Sequence, residues 1–344
     1  MNPRFYFSTF QLGAEKAVKA EVLAEYPQLK FAFSRPGFIT FKEESNQSPP
    51  LELKRGIFTR LWGEVVGQTK DPATLGDLLK LIPPKKTIQI FDRDQYVPGD
   101  EPDDFKQHGH IQKIAGELKG YSFNGSPRVG DEVYSLIWID DFHVFLGRHT
   151  HTKNLTDSPG NIPNIPLAKD SPSRAYLKIE EAIYRFKPAI EKGLQVLEVG
   201  CSPGGATTAM SHRGMLVTGV DPKYMAQEVY KLPGFKFVQK CARDVNASDL
   251  MQVNPDWLVM DMNIAPLEAL DELNHVVSVL RKNFGKNLKL REGFLTIKLN
   301  DWKFASSIPL YLKRLDEIGF KGLHPIQLCS NRQEFFVYAS QFKI

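Results

Sequence analysis

Long apolar runs, a cysteine framework and a strong charge of either sign are all missing from this sequence. Its three cysteines, Cys201, Cys241 and Cys329, are too few and too scattered for a disulfide scaffold or a paired-cysteine zinc site. That usage fits a reducing compartment. No apolar run approaches the ~20 residues that span a bilayer, so no membrane role is expected. The N-terminus, MNPRFYFSTFQL, has no small-residue cleavage site and runs into a charged helix. No signal peptide is read there, and a cytoplasmic location is expected. The net charge is only +4 over 344 residues, which permits a polyanionic partner without demanding one. Residues 1–165 hold 20 Lys and Arg against 21 Asp and Glu, and the remainder holds 24 against 19, so the basic excess is C-terminal. With 42% apolar and 24% charged residues, the chain is neither disordered, collagen-like nor coiled coil. Its length suggests two domains.

Periodicity divides the chain. In residues 13–26, Ala14, Val18, Val22 and Tyr26 recur every fourth position, one face of a helix that Pro27 stops. LKFAF (29–33) and GFITFK (37–42) flank Arg35-Pro36-Gly37 and read as a hairpin. The polar stretch 44–50 reads as a loop. FTRLWGEVVG and KTIQIFDRD read as strands, 105–122 as partly helical, and DEVYSLIWIDDFHVFLGRHT as two strands turning at Asp140-Asp141. The proline-rich stretch 151–172 has almost no periodicity, and the boundary is expected near 165. Beyond it, SRAYLKIEEAIYRF predicts a helix with Ala175, Ile179, Ala182 and Ile183 inward. Short apolar runs then alternate with helical or loop stretches (LQVLEVG, MLVTGVD, FKFVQ, DWLVMDM, GFLTIKLN). That alternation predicts an α/β fold with a mainly parallel sheet covered on both faces. The last two strands flank Asn331-Arg332 as a hairpin.

The segment VLEVGCSPGGATTAM (196–210) reads as strand, glycine-rich loop and helix. Gly200, Ser202, Pro203, Gly204 and Gly205 occupy the loop, but Ser202 stands where a dinucleotide fingerprint needs its middle glycine. That argues against a dinucleotide oxidoreductase and suits a nucleoside ligand without a pyrophosphate. Asp221, ending the next strand, is placed to bind a ribose diol, and Asp244, after the third, to accept from an exocyclic amine. His143, His149 and His151 lack convincing metal spacing, so no metal is expected. The HTHTK run, with Arg148 and Lys153, reads either as a solvated loop or as a contact to RNA phosphates.

From here the sequence resembles the FtsJ/RrmJ-type S-adenosylmethionine-dependent 2′-O-ribose methyltransferases. SRAYLK (173–178), VMDMNIAP (259–266), LTIKLN (295–300) and SNRQEFFVYAS (330–340) follow that family's order. The resemblance implies a seven-stranded Rossmann-like domain over 166–344 and S-adenosylmethionine as cofactor. It also implies a Lys-Asp-Lys-Glu tetrad of Lys178, Asp261, Lys298 and Glu334, with Asp261 touching the donor site as well. Ala206 departs from the pattern, where Trp often follows the two glycines. PSRAYLKIEEA, DMNIAPLEAL and IKLNDWK are most similar to the RlmM-type branch, which methylates a cytidine ribose of 23S ribosomal RNA. That likeness implies a ferredoxin-like lead-in and a THUMP-like RNA-binding region over 1–165. Another RNA substrate, transfer or messenger, stays open, as does a catalytically silent RNA-binding scaffold.

The tetrad is also sensible as chemistry. A ribose hydroxyl is a weak acid and a poor nucleophile, so it needs alignment and a proton acceptor. Lys298, in an apolar strand, is the expected base. Burial and the neighbouring Lys178 favour its neutral form, while the two carboxylates oppose that shift.

Overall fold

The computed structural model describes residues 3–44, 51, 54, 56–101 and 123–343. Of the expected loop at 44–50 only Glu44 is among these residues, and the expected partial helix at 105–122 lies outside them. Contacts divide the chain into two compact units, Met1–Asn164 and Ile165–Ile344. Among the described residues no helix is long and apolar enough to cross a membrane.

The first unit is built on a seven-stranded sheet. Its strands are β1 (Arg4–Phe10), β2 (Leu29–Arg35), β3 (Phe38–Glu43), β4 (Thr59–Thr69), β5 (Thr87–Asp92), β6 (Glu132–Trp138) and β7 (Val144–Thr150). The order is β2-β3-β1-β4-β7-β6-β5, antiparallel except for β5 beside β6. Helix α1 (Glu15–Glu25) buries Ala17, Val18 and Val22, and the short α2 (Leu75–Leu79) buries Leu75, Leu78 and Leu79. At the sheet centre the fully buried Phe7 ring needs two glycines beside it. A Cβ at Gly147 would stand 2.3 Å from that ring, and one at Gly63 2.8 Å from it.

His143, His149 and His151 are core residues, so neither the solvated-loop nor the phosphate-contact reading applies to these imidazoles, while Lys153 of the HTHTK run is exposed. His143, His149 and His151 are 6%, 7% and 6% exposed. His143 Nε2 shares a hydrogen bond with Gln68 Oε1 at 2.8 Å and packs between Phe33 and Phe145. Arg148 is paired with Glu64 and Glu132. Among the described residues no three His, Cys, Asp or Glu side chains group as metal ligands.

The second unit carries the other seven-stranded sheet: β8 (Gln195–Val199), β9 (Leu216–Val220), β10 (Lys236–Val238), β11 (Trp257–Asp261), β12 (Glu292–Lys298), β13 (Phe320–Ile326) and β14 (Glu334–Phe342). Its order is β10-β9-β8-β11-β12-β14-β13. Pairing from β10 to β12 is parallel, and β14 runs against both β12 and β13. This is a Rossmann-like α/β architecture. Helices α3 (Ala175–Phe186), α4 (Gly205–His212), α5 (Pro266–Phe284) and α6 (Ile308–Ile318) accompany it. Helix α3 turns Ile179, Ala182 and Ile183 inward. They join Val196, Trp257 and Phe294 in one core cluster, where Trp257 and Phe294 stack at 4.6 Å.

Burial holds the His149 imidazole down to about 4, with the neighbouring His151 acting in the same direction. A free histidine titrates near ~6.5. The unfolded chain therefore binds the proton first, and stability present above ~6.5 is lost as pH falls toward ~4. The expected loss is roughly 2–4 kcal/mol. Thermal unfolding across that range should show a shallower decline in His149→Gln; an unchanged decline contradicts the assignment.

Candidate active site

Parallel strands of an open α/β sheet end along one edge, and ligands bind there. Asp261 and Lys298 are the last residues of β11 and β12. Because β14 is antiparallel, its first residue, Glu334, lies at the same edge and pairs in register with Lys298. Lys178 comes from the first turn of α3, one position below the buried Ile179. Lys178 Nζ stands 2.7 Å from Asp261 Oδ2 and 2.6 Å from Glu334 Oε1. Lys298 Nζ stands 3.2 Å from Asp261 Oδ1 and forms a second, close pair with Glu334 Oε2. Each carboxylate thus bridges both ammoniums, and the formal charges cancel.

The side chains of Lys178, Asp261, Lys298 and Glu334 are only 12%, 15%, 20% and 4% exposed. At Lys298 burial pulls the pKa down, but Asp261 and Glu334 outweigh it and hold the ammonium above its usual range. This reverses the expectation that burial and Lys178 favour a neutral amine. Burial likewise pushes Asp261 and Glu334 up, and the two lysines overcome it, leaving both carboxyls low.

Sequence reasoning treated Asn331 only as a turn residue. It is fully buried, and its Nδ2 donates to Glu334 Oε1 at 2.9 Å. Its Oδ1 accepts from the Leu328 backbone N–H at 2.8 Å. The same turn is anchored from α3: Glu181 accepts from the Cys329 backbone N–H at 2.8 Å and from Arg185 Nε at 2.7 Å. One asparagine thus fixes the carboxylate that pairs with both lysines. The only sequence signal was an Asn three residues before the glutamate.

Two cavities open beside the cluster. The first, about 230 Å³, is lined by Gly200, Ser202, Asp221, Asp261 and Asn263, with Cys241 and Arg243 on another wall. Gly200 has φ +81°, and a Cβ there would stand 2.6 Å from the Asp261 carbonyl oxygen. Only glycine lets this loop approach the end of β11 so closely. Asp221 Oδ2 accepts from the Ser202 N–H at 3.1 Å, and Oδ1 from the Lys223 N–H at 2.8 Å. A carboxylate has about four acceptor sites, so each oxygen retains one for a ligand. Pro203, Gly204, Gly205 and Asp244 do not line this cavity. Gly204 sits against Val229 and Gly205 against Ser173, while Asp244 is exposed beyond β10. The Ser202–Pro203 peptide is cis.

Beneath the loop lies Glu198 of β8, 1% exposed, which accepts from the Thr207 hydroxyl. Burial, with Asp261 and Asp221 acting in the same direction, pushes its carboxyl up to about 8 against the pull of Thr207. This shift toward the neutral acid is one that its place in an apolar strand did not announce.

The second cavity, about 370 Å³, is lined by Arg174, Lys178, Asn263, Lys298, Arg332 and Glu334, among others. Asn263 lines both cavities. The ion cluster therefore faces two spaces: Asp261 toward the first, its three partners toward the second.

Residues 172–311, within the second unit, match the FtsJ-like methyltransferase family. Among curated relatives, the ribosomal RNA large subunit methyltransferase M of Aeromonas hydrophila is 33% identical over 136 residues, covering 38% of this chain and 36% of the relative. The protein of that name from Halorhodospira halophila is 28% identical over 215 residues, covering 59% and 56%. That from Musicola paradisiaca is 28% identical over 225 residues, covering 60% and 56%. The chain thus spans between about a third and just over half the length of these relatives.

Two substitutions check this geometry. Glu198→Gln keeps a neutral, hydrogen-bonding side chain and should match wild type to within about 1 kcal/mol below ~4.3, where Glu198 is protonated in both the folded and the unfolded chain, and should be the more stable of the two at pH 7. It should also abolish the decline in stability that a raised carboxyl pKa brings as pH rises from ~4.3 toward 8. A pH–stability curve identical to wild type contradicts a protonated Glu198. Asn331→Ala leaves the buried Leu328 N–H without its acceptor and should cost about 1–3 kcal/mol in urea unfolding; no loss would contradict its bracing role.

Proposed function

We propose that this protein transfers a methyl group from S-adenosylmethionine to a ribose 2′-hydroxyl of RNA, with 23S ribosomal RNA as the substrate. The observation that carries the reading is the neutral cluster of two lysines and two carboxylates set between two cavities at the carboxyl edge of the sheet. The names of the curated relatives support the choice of ribosomal RNA.

The residues around the smaller cavity fit the donor. Asp221 keeps acceptor sites for a ribose diol, and Gly200 leaves backbone room. Asp261 Oδ1 is buried without a hydrogen-bond donor in good geometry among the described residues. When bound, S-adenosylmethionine supplies a methyl on a sulfonium, an electrophile that needs no further activation. The chain must then place the acceptor oxygen in line and remove its proton. Lys178 and Lys298 offer N–H donors that orient the hydroxyl. Lys298 is the general base, Lys178 and Glu334 tune and hold it, and Asp261 joins the cluster to the donor cavity. Asp244 is assigned to the exocyclic amine at the outer rim, and Pro203, Gly204 and Gly205 to shaping the loop.

The first unit is proposed as the RNA-binding, THUMP-like part. Lys19 lies 4.1 Å over the ring of Phe31, which is 49% exposed, and Arg35 lies 4.9 Å over Phe33. Aromatic rings paired with cations suit unstacked RNA bases.

Because the carboxylates keep Lys298 protonated at neutral pH, only a small fraction of the enzyme holds a free base. The single-turnover rate should rise about tenfold per pH unit above pH 7, and a flat profile would contradict a lysine base. Lys298→Met keeps the stem and should lose ~10²- to 10⁴-fold in rate with donor affinity intact. Asp221→Ala should instead weaken donor binding by ~10- to 100-fold in calorimetry. Substantial turnover in the first would remove Lys298 as the base, and unchanged affinity in the second would remove Asp221 from the donor site.

A further inference from the structure

Three carboxamide residues stand in the wall of the larger cavity: Asn263, Asn300 and Gln333. Of the three, only Asn263 also lines the smaller one. Its side chain is exposed and makes no hydrogen bond among the described residues, so its two amide N–H groups and its oxygen are open to a ligand. The backbone that carries it is fixed. Met262 before it is buried, and a Cβ on Gly200 would stand 2.6 Å from the Asp261 carbonyl oxygen and 2.9 Å from Met262 Cγ. Shortly after it, Pro266 opens α5.

The charged groups beside Asn263 have little left to offer a sugar. Lys178 Nζ faces Asp261 Oδ2 and Glu334 Oε1, and Lys298 Nζ faces Asp261 Oδ1 and Glu334 Oε2. Each ammonium spends two of its three N–H groups on these carboxylates and keeps one. Methyl transfer as read above then uses every site of the acceptor hydroxyl. One lone pair bonds the methyl carbon while sulfur keeps the electrons of the broken bond. The proton goes to Lys298, and the second lone pair accepts from Lys178. A ribose held at that single oxygen still swings about its C–O bond, and a second contact on the ring removes that freedom. Such a contact must come from the donor side and must not upset a cluster whose charges cancel. An uncharged carboxamide in the wall shared by both cavities meets both conditions.

We infer that Asn263 is the residue that positions the acceptor: its Nδ2–H donates to the ribose oxygen next to the attacked hydroxyl and holds that hydroxyl in line with the methyl. This role rests on the methyl-transfer reading above and adds to it a residue outside the ion cluster.

The test compares Asn263→Leu and Asn263→Ala with wild type in the full chain, using a fluorescent fragment of 23S ribosomal RNA. Both variants should melt with wild type, because the side chain is exposed. S-adenosylmethionine affinity, measured by calorimetry, should match wild type. RNA affinity, measured by fluorescence anisotropy without the donor, should fall by ~2- to 10-fold, the worth of one hydrogen bond. The single-turnover rate with both sites filled should fall by ~10- to 100-fold, in parallel at every pH. An unchanged rate or an unchanged RNA affinity in both variants overturns the inference. So does a loss of donor affinity that accounts for the slower rate, since the amide would then serve the donor. A pH profile displaced along its axis also overturns it, since Asn263 would then act through the proton on Lys298. In each of these cases the methyl-transfer reading stands. If wild type leaves no methyl on a ribose, that reading fails and the positioning role fails with it.

Discussion

Four charges that must neutralise one another at one edge of a sheet constrain everything else in the second unit. Burying a single lysine or carboxylate costs several kcal/mol, and removing one partner from a buried pair leaves that cost exposed. The cluster avoids this because each carboxylate meets both ammoniums. Such an arrangement needs strand ends that converge. Parallel strands present their last residues at the carboxyl edge, so β11 and β12 bring Asp261 and Lys298 there. A further parallel strand beside β12 would place its first residue at the opposite edge. The antiparallel run of β14 brings its first residue, Glu334, opposite Lys298. The reversal of that strand is thus the topological condition for the cluster.

Neutrality has a chemical consequence. Carboxylates that make burial of Lys298 tolerable also hold its proton, so the residue best placed to accept a proton is not free to do so at rest. Under the proposed function, catalytic power is traded against the stability of the resting cluster. Nearby, Glu198 shows the opposite outcome. With burial and two anions beside it and no cation, its carboxyl is pushed up to about 8. Within one strand edge, the nature of the partner decides which acids ionise and which stay neutral.

Much of the architecture was readable from period alone. The apolar runs from LQVLEVG to GFLTIKLN are strands of the second sheet, and the inward face of SRAYLKIEEAIYRF carries Ile179, Ala182 and Ile183. Motif order also named four residues from four separate elements, which the fold sets within ion-pair distance of one another. What escaped the sequence depends on tertiary neighbours. The histidines near 149 look solvated in a polar run, yet alternation on β7 and the strand-flanking turn bury them. Asn331 looks like turn chemistry until its amide is seen donating to Glu334. The shift at Lys298 came out opposite in sign because burial, legible as an apolar strand, is outweighed by two carboxylates whose distance no spacing reveals. Gly204 and Gly205 read as ligand contacts, but each lacks a side chain where Val229 or Ser173 packs against it.

The position of the transferred methyl tests the central claim most directly. Full-length protein, ribosomal RNA and S-adenosylmethionine carrying a labelled methyl are incubated together, and the RNA is then hydrolysed in alkali. A 2′-O-methyl ribose has no free neighbouring hydroxyl, so its linkage survives and the label should appear in dinucleotides. Label recovered in mononucleotides would place the methyl on a base and contradict the role assigned to the two lysines and two carboxylates.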